Sequence, residues 1–241
     1  MILARAGSKG LPGKNAIPLL GRPLCAWTFE HAVAARVAGV IAEVVVSTDC
    51  DRVAAAAGEA GLAVIERPAG LADDTATVDA AARHACDAVD PGPNRRFDAV
   101  VILYANVPAR PDTLIADAMT KLRTTGCDSV QSVCPVGKYH PAWMKTLDGD
   151  RLRPNPPYAD LKIHRRQDLP PLFQLDGGII AVTRVSLDRV DPTDPHAFLG
   201  EDRRAVLTEP GAVIDIDTAA DLALAAAVLA ATTRRGDEIL G

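Results

Sequence analysis

The chain has 241 residues, with 26 Lys plus Arg against 31 Asp plus Glu, so its formal net charge is -5 and its pI near 5.5. That balance argues against a general nucleic-acid binder, which needs a basic field. Hydrophobic residues make up 48% and aromatics only 4%, which predicts a core of Ala, Val, Leu and Ile such as helices pack over a parallel sheet. The longest apolar stretch near the C-terminus, residues 222–231, is too short to span a bilayer, so no membrane partner is expected. Cys25, Cys50, Cys86, Cys127 and Cys134 are scattered with no CxxC spacing, which reads as free thiols in a reducing, cytoplasmic compartment.

In chain order, MILARAGSKGLPGKN opens with a very short apolar run and a loop of glycines, Ser8 and two lysines. The run begins almost at Met1, so a few residues upstream are expected. Residues 23–37 predict a helix and 41–47 (IAEVVVS) a buried parallel strand. STDCDR follows, then a helix over 51–60 and a short strand over 62–65 that ends at Arg67-Pro68. LADDTAT sits in a loop before a helix over 78–88, and AVVILY (99–104) predicts a central strand. A helix over 111–123 and a strand over 129–133 come next. Residues 135–175 are rich in proline and charge and read as loops and antiparallel strands reaching out from the sheet. DGGIIAVT resumes the core, 212–216 predicts a last strand edge, and 221–230 a closing helix. The alternation predicts one α/β domain over 1–241, a three-layer sandwich with a mostly parallel sheet.

Two features point to chemistry. Gly7, Gly10 and Gly13 allow backbone N–H groups to wrap phosphate oxygens, and Arg5, Lys9 and Lys14 supply charge for a triphosphate. Neither GxxxxGK[ST] nor GxGxxG is present, so this is not a Walker A or Rossmann loop; a solvated basic turn is the plainer alternative. In VIDIDT, Asp215 and Asp217 alternate with Ile214 and Ile216, so an extended backbone puts both carboxylates on one face, a natural magnesium seat. The plainer alternative makes one an N-cap for the helix near Thr218.

ARAGSKGLPGKN resembles the signature of the acylneuraminate cytidylyltransferases, the enzymes that make CMP-sialic acid and related activated acids. VVVSTDCDRVAAAAGEAG, RPAGLADDTAT, RRQDLPPLFQLDGGIIAV and VIDIDTAADL extend the resemblance over nearly the whole chain. It implies a nucleotide-diphospho-sugar transferase-like fold and transfer of CMP from CTP to a small acidic acceptor, with Mg2+ on Asp215 and Asp217. Leu3, Ala4, Arg5, Gly7, Ser8, Lys14, Asn15, Arg67, Ala76 and Thr77 would surround the nucleotide. Arg5, Lys9, Lys14 and Asp217 would be the catalytic set. Residues 135–175 resemble the family's dimerisation extension, which implies a homodimer in which Arg165 reaches the partner's site. Tyr104, Asn106, Arg110, His140, Gln174 and Asp176 complete the expected acceptor end.

The loop after the central strand departs from the family pattern. It reads ILYANVPARP where LLQPTSPLR is usual, and Asp176 stands in place of the usual Asn. Exchanging buried donors and acceptors changes what a pocket accepts. The departure therefore predicts a contracted pocket for a phosphonate such as phosphonoformate, with a sialic or other nonulosonic acid as the alternative. Another base in place of cytosine, or a non-catalytic nucleotide-binding protein, are the competing readings. His31, His164, Trp27 and Trp143 read as packing, local hydrogen-bonding or solvated residues.

Overall fold

The computed structural model describes residues 1–240 except Lys9 and Pro93, with side chains up to Thr232. β1 (Ile2–Ala4) leads into the glycine loop, and a small hairpin, β2 (Pro18–Leu19) and β3 (Arg22–Pro23), leads into α1 (Leu24–Val37). β4 (Val45–Thr48), α2 (Asp51–Glu59), β5 (Ala63–Glu66), α3 (Val78–Val89) and β6 (Ala99–Tyr104) follow the predicted alternation. β4 starts later than the sequence suggests, because the N–H groups of Val40 and Ile41 close the end of α1 on Ala35 O at 2.9 and 3.4 Å. α4 (Leu114–Thr125) and β7 (Ser129–Pro135) come next, and α4 ends on Gly126 in the left-handed conformation.

The segment expected to reach out from the sheet forms a separate hairpin, β8 (Lys145–Asp148) and β9 (Arg151–Pro154), exposed along its whole length. β10 (Phe173–Thr183), the single turn α5 (Arg184–Leu187) and β11 (Arg203–Leu207) return to the sheet, and α6 (Ala219–Leu240) closes the chain. Among the described residues, no helix is long and apolar enough to cross a membrane.

Seven strands form one sheet in the order β11-β7-β10-β6-β1-β4-β5, and β10 alone runs against its neighbours. The alternation of side chains along β1 divides the core. Ile2 and Ala4 join α1, α2 and α4 on one face, whereas Met1 and Leu3 join α3 and α5 on the other. This is the predicted three-layer α/β sandwich.

One strand carried no sequence signal, and one expectation needs correction. RRAVL, which carries two arginines and little apolar length, is the edge strand β11. Residues 212–216, by contrast, make a single bridge, Ile214 to Ala109, rather than a strand. The alternation there is nevertheless physical: Ile214 and Ile216 are buried in a third apolar cluster with Leu19, Leu24 and Ala225, so Asp215 and Asp217 point outward.

Candidate functional site

In a mostly parallel sheet the crevice beyond the carboxyl ends of the strands is where ligands collect. Here β1, β4 and β6 deliver three loops to that end: Arg5 onward, Asp49 onward, and Ala105–Arg110. The loop after β1 is fastened at both sides. Ala6 N donates to Asp49 Oδ1 at 2.7 Å, and Asn15, 5% exposed, donates through Nδ2 to Arg5 O at 2.9 Å. Asn15 Oδ1 is buried without a partner. Gly10 passes so close to the acidic segment that a Cβ on it would lie 2.6 Å from Asp217 O, so no other residue fits without moving backbone.

The basic side chains of this loop lie against carboxylates. Arg5 Nη1 donates to Asp73 O at 2.9 Å and to Asp74 Oδ1 at 3.0 Å, and Lys14 Nζ meets Asp217 Oδ1 at 2.5 Å. The predicted phosphate loop and the predicted metal seat, 203 positions apart in sequence for this pair, are therefore one site. Lys9 lies outside the described residues. Ser8 is half-buried, and Gly7 has nothing within 4 Å of where a side chain would begin.

The helix-capping alternative for the acidic pair is answered by local bonding. Thr218 Oγ1 accepts from Asp221 N at 3.3 Å, and Asp221 Oδ2 accepts from Thr218 N at 2.8 Å and Asp217 N at 3.2 Å, a reciprocal cap on α6. Thr218 and Asp221 thus do the capping, which leaves the Asp215 and Asp217 side chains for the site. Asp215 Oδ1 accepts from Asn106 Nδ2, and Asn106 O accepts from Ile216 N at 2.9 Å. Burial first, then the Asp217 charge, pushes the Asp215 carboxyl above the ordinary range, while Lys14 and Arg110 oppose the shift. The two carboxylates thus repel one another, and Lys14 offsets part of that charge. Among the described residues no group of three or more His, Cys, Asp or Glu is placed to hold a metal. Two carboxylates nevertheless suit Mg2+, which keeps waters and takes its remaining oxygens from substrate phosphate.

Several expected contacts turn out to be framework. Leu3 and Ala4 are core residues, and their carbonyls already accept from Ala105 N at 3.1 Å and Thr48 Oγ1 at 2.5 Å. Arg67, 6% exposed, donates to Ser47 Oγ and O at 3.1 and 2.9 Å; burial lowers its pKa, and Asp49 works against that. Thr77 caps α3 by accepting from Ala80 N at 3.4 Å, and Ala76 N closes a turn on Asp73 Oδ1 at 2.8 Å.

The acceptor end departs further from expectation. Arg110 does not face the crevice. Only 5% exposed, it donates to Gly178 O, Thr28 Oγ1 and Tyr104 O at 3.1, 3.2 and 3.3 Å, and burial lowers its pKa to about 9 against the opposing charges of Asp176 and Asp215. His140 lines a cavity of the extension with Pro135, Leu169 and Phe173, where its Nδ1 accepts from Ala142 N at 3.1 Å and its Nε2 meets Pro170 O at 3.1 Å, with Tyr158 edge-on. Asp176 is occupied by Ser132, Thr208 and Gly178 N. Gln174 lies on the exposed end of β10 with Nε2 3.5 Å from Cys134 Sγ, and Arg165 is exposed in the extension. Tyr104 is half-buried near Asp215: burial first, then the Asp215 charge, raise its phenol pKa.

Sequence reading missed Asp49 and Asp73–Asp74 as site residues. Their signals were an Asp two residues beyond a buried strand and a DDT turn, both short polar patterns shared with ordinary loops.

A glycine loop, basic side chains and two carboxylates, gathered at the carboxyl end of a mostly parallel sheet, are the parts that nucleotidyl transfer calls for. The sequence pattern of the family described as Cytidylyltransferase matches residues 1–143, and the chain belongs to that family. It is 34% identical over 230 residues to the CMP-N,N'-diacetyllegionaminic acid synthase of Legionella pneumophila, covering 93% of this chain and 92% of that protein. It is also 34% identical over 122 residues to the pseudaminic acid cytidylyltransferase of Campylobacter jejuni, covering 50% of this chain and 51% of that one. A solved CMP:2-keto-3-deoxy-manno-octonic acid synthetase complexed with CTP superposes with a TM-score of 0.65 at 19% identity, over 96% of this chain and 97% of that chain, and supports the fold. The protein is an enzyme, a cytidylyltransferase that transfers a cytidylyl group from CTP.

Proposed function

We propose that the enzyme activates a nonulosonic acid, an acidic sugar of the sialic, legionaminic or pseudaminic class, by joining it to CMP with release of pyrophosphate. The observation that carries the reading is the meeting of Lys14 and Asp217 at 2.5 Å, with Asn106 holding Asp215 beside them. The names of the relatives that match support a sugar acid as the acceptor, and the first expectation of phosphonoformate gives way to its alternative. Tyr104 and Asn106 then belong to a repacked wall: the Tyr104 carbonyl takes Arg110, and the Asn106 amide takes Asp215.

In this account the acceptor hydroxyl oxygen bonds to the α-phosphorus, the bond to the bridging oxygen of pyrophosphate breaks, and the hydroxyl proton passes to water. Mg2+ held by Asp215 and Asp217 would supply Lewis-acid charge at the phosphates. Arg5 exchanges Asp74 for a phosphate oxygen, and Lys14 follows the charge that grows on the leaving group. Asn106 keeps Asp215 oriented through the hydrogen bond that its Nδ2 donates to Asp215 Oδ1. Asn15 and Asp49 hold the loop so that its N–H groups are already aimed when CTP arrives.

The exposed apolar residues of the extension, with Leu147 and Leu152 each 70% exposed on the β8–β9 hairpin, support a homodimer formed through residues 135–175. Pyrophosphate release with CTP and Mg2+ across N-acetylneuraminate, legionaminic acid, pseudaminic acid and phosphonoformate tests the acceptor. Turnover with a sugar acid is expected. Turnover with phosphonoformate alone would restore the contracted pocket and overturn this reading.

A further inference from the structure

β10 leaves its ladder with β7 after Leu175 and rejoins it at Ile180 with a shifted register, so Asp176, Gly177 and Gly178 form a bulge. The bulge is gripped from β7 and from the residue that follows β11. Asp176 Oδ1 accepts from Ser132 Oγ of β7 and from Gly178 N at 3.0 Å, and its Oδ2 accepts from Thr208 Oγ1, just past β11, at 2.5 Å. Gly178 is held again from the other side, because its carbonyl takes Arg110 Nε at 3.1 Å. A Cβ there would lie 2.8 Å from Ser132 Oγ and 2.9 Å from Leu114 Cδ2, so the backbone is seated as closely as glycine allows. Gly177, between these anchors, is turned toward the carboxylate seat: a Cβ on it would be 3.6 Å from Asp215 Oδ2.

A carboxylate with three donors on two oxygens has little left to offer a ligand. Yet it fixes a backbone segment that borders Asp215. We propose that Asp176 is a positioning residue for the acceptor: through the Gly177–Gly178 bulge it sets the wall against which the acid rests beside Asp215. The inference rests on the cytidylyl-transfer reading above. It departs from the expectation that Asp176 touches the acceptor. An amide accepts from Ser132 and Gly178 N equally well, and the Thr208 hydroxyl can turn to accept from its NH2 group, so Asn is the conservative replacement.

The test compares Asp176→Ala and Asp176→Asn with the parent enzyme in two readouts, amide hydrogen exchange over residues 176–179 and steady-state kinetics with CTP and a sugar acid. For Asp176→Ala we expect faster exchange confined to that segment and an acceptor KM raised about tenfold, with the CTP KM unchanged. Asp176→Asn should restore both. Thr208→Val, which removes one donor and keeps the carboxylate, should move both in the same direction by less, and it serves if Asp176→Ala does not fold. Unchanged exchange, or acceptor and CTP KM values rising together, overturns the proposal. A parent enzyme that releases no pyrophosphate with any sugar acid sinks the functional reading instead, and the exchange measurement alone then decides whether Asp176 holds the bulge.

Discussion

The phosphate end and the acceptor end of the crevice use charge in opposite ways. At the phosphate end Arg5 and Lys14 stand at or near solvent, each against a carboxylate, with Asp74 and Asp217 48% and 69% exposed. At the acceptor end Arg110 is buried beneath the floor, and its donors go to Gly178, Thr28 and Tyr104. Exposed ion pairs contribute little to stability and exchange partners readily, which suits groups that must let go of an internal carboxylate and take hold of a phosphate. Buried, hydrogen-bonded charge is costly to disturb and suits a wall that must not move. On the proposed reading, charge at one end is for binding, and at the other for shape.

That contrast can be broken most sharply at Lys14. Lys14→Ala should lower kcat by about 10²–10³ while leaving the unfolding free energy within about 1 kcal/mol of the parent, measured by pyrophosphate release and by urea titration. A variant with near-parent turnover would remove Lys14 from the mechanism. Arg110→Met should do the reverse to stability. It takes the Arg110 donor from the Gly178 carbonyl inside the buried floor and should cost about 2–4 kcal/mol in the same titration. A loss below about 0.5 kcal/mol would mean that the floor is not built on Arg110.

A smaller effect comes from His31, which sits over the same floor. Burial, then the Arg110 charge, lowers its pKa from 6.5 to about 4, while Asp112, Glu30 and the Pro108 carbonyl oppose the shift. Because the folded pKa is depressed, the unfolded chain takes up the proton first. Stability is full above about pH 6.5 and falls as pH drops toward 4. His31→Gln should flatten that part of the pH–stability curve, and an unchanged slope would show that His31 is not its source. Smallest of all, Asp74→Ala removes the carboxylate that competes for Arg5 and should lower the CTP KM by about two- to threefold. A rise would instead make Asp74 part of the nucleotide site.

The same contrast explains what could be read from the sequence. The phosphate end is local: glycines and basic residues within fifteen positions carry their own meaning, and the alternation of VIDIDT predicts the outward carboxylates even though no strand forms there. The sandwich was equally legible, because strands and helices alternate from Ile2 to Tyr104 and β1, β4 and β6 are buried apolar runs. The acceptor end was not. Arg110 and His140 are loop residues and Asp176 sits in the β10 bulge, where sequence favours exposure and function, yet each is satisfied by partners that include ones 30 to 82 positions away. Those distant partners are fixed by tertiary packing. β11 escaped for a related reason: as an edge strand with Arg203 and Arg204 exposed, it lacks the apolar run that marks an interior strand.

The most direct test of the central claim follows the transferred bond. The enzyme is incubated with CTP, Mg2+ and a nonulosonic acid labelled with ¹⁸O at its reacting hydroxyl, and the products are weighed by mass spectrometry. The account predicts CMP-acid that retains the label, together with unlabelled pyrophosphate. Label recovered only in unreacted acid, with free CMP as the nucleotide product, would show that water rather than the acid attacks the α-phosphorus and would contradict the assignment.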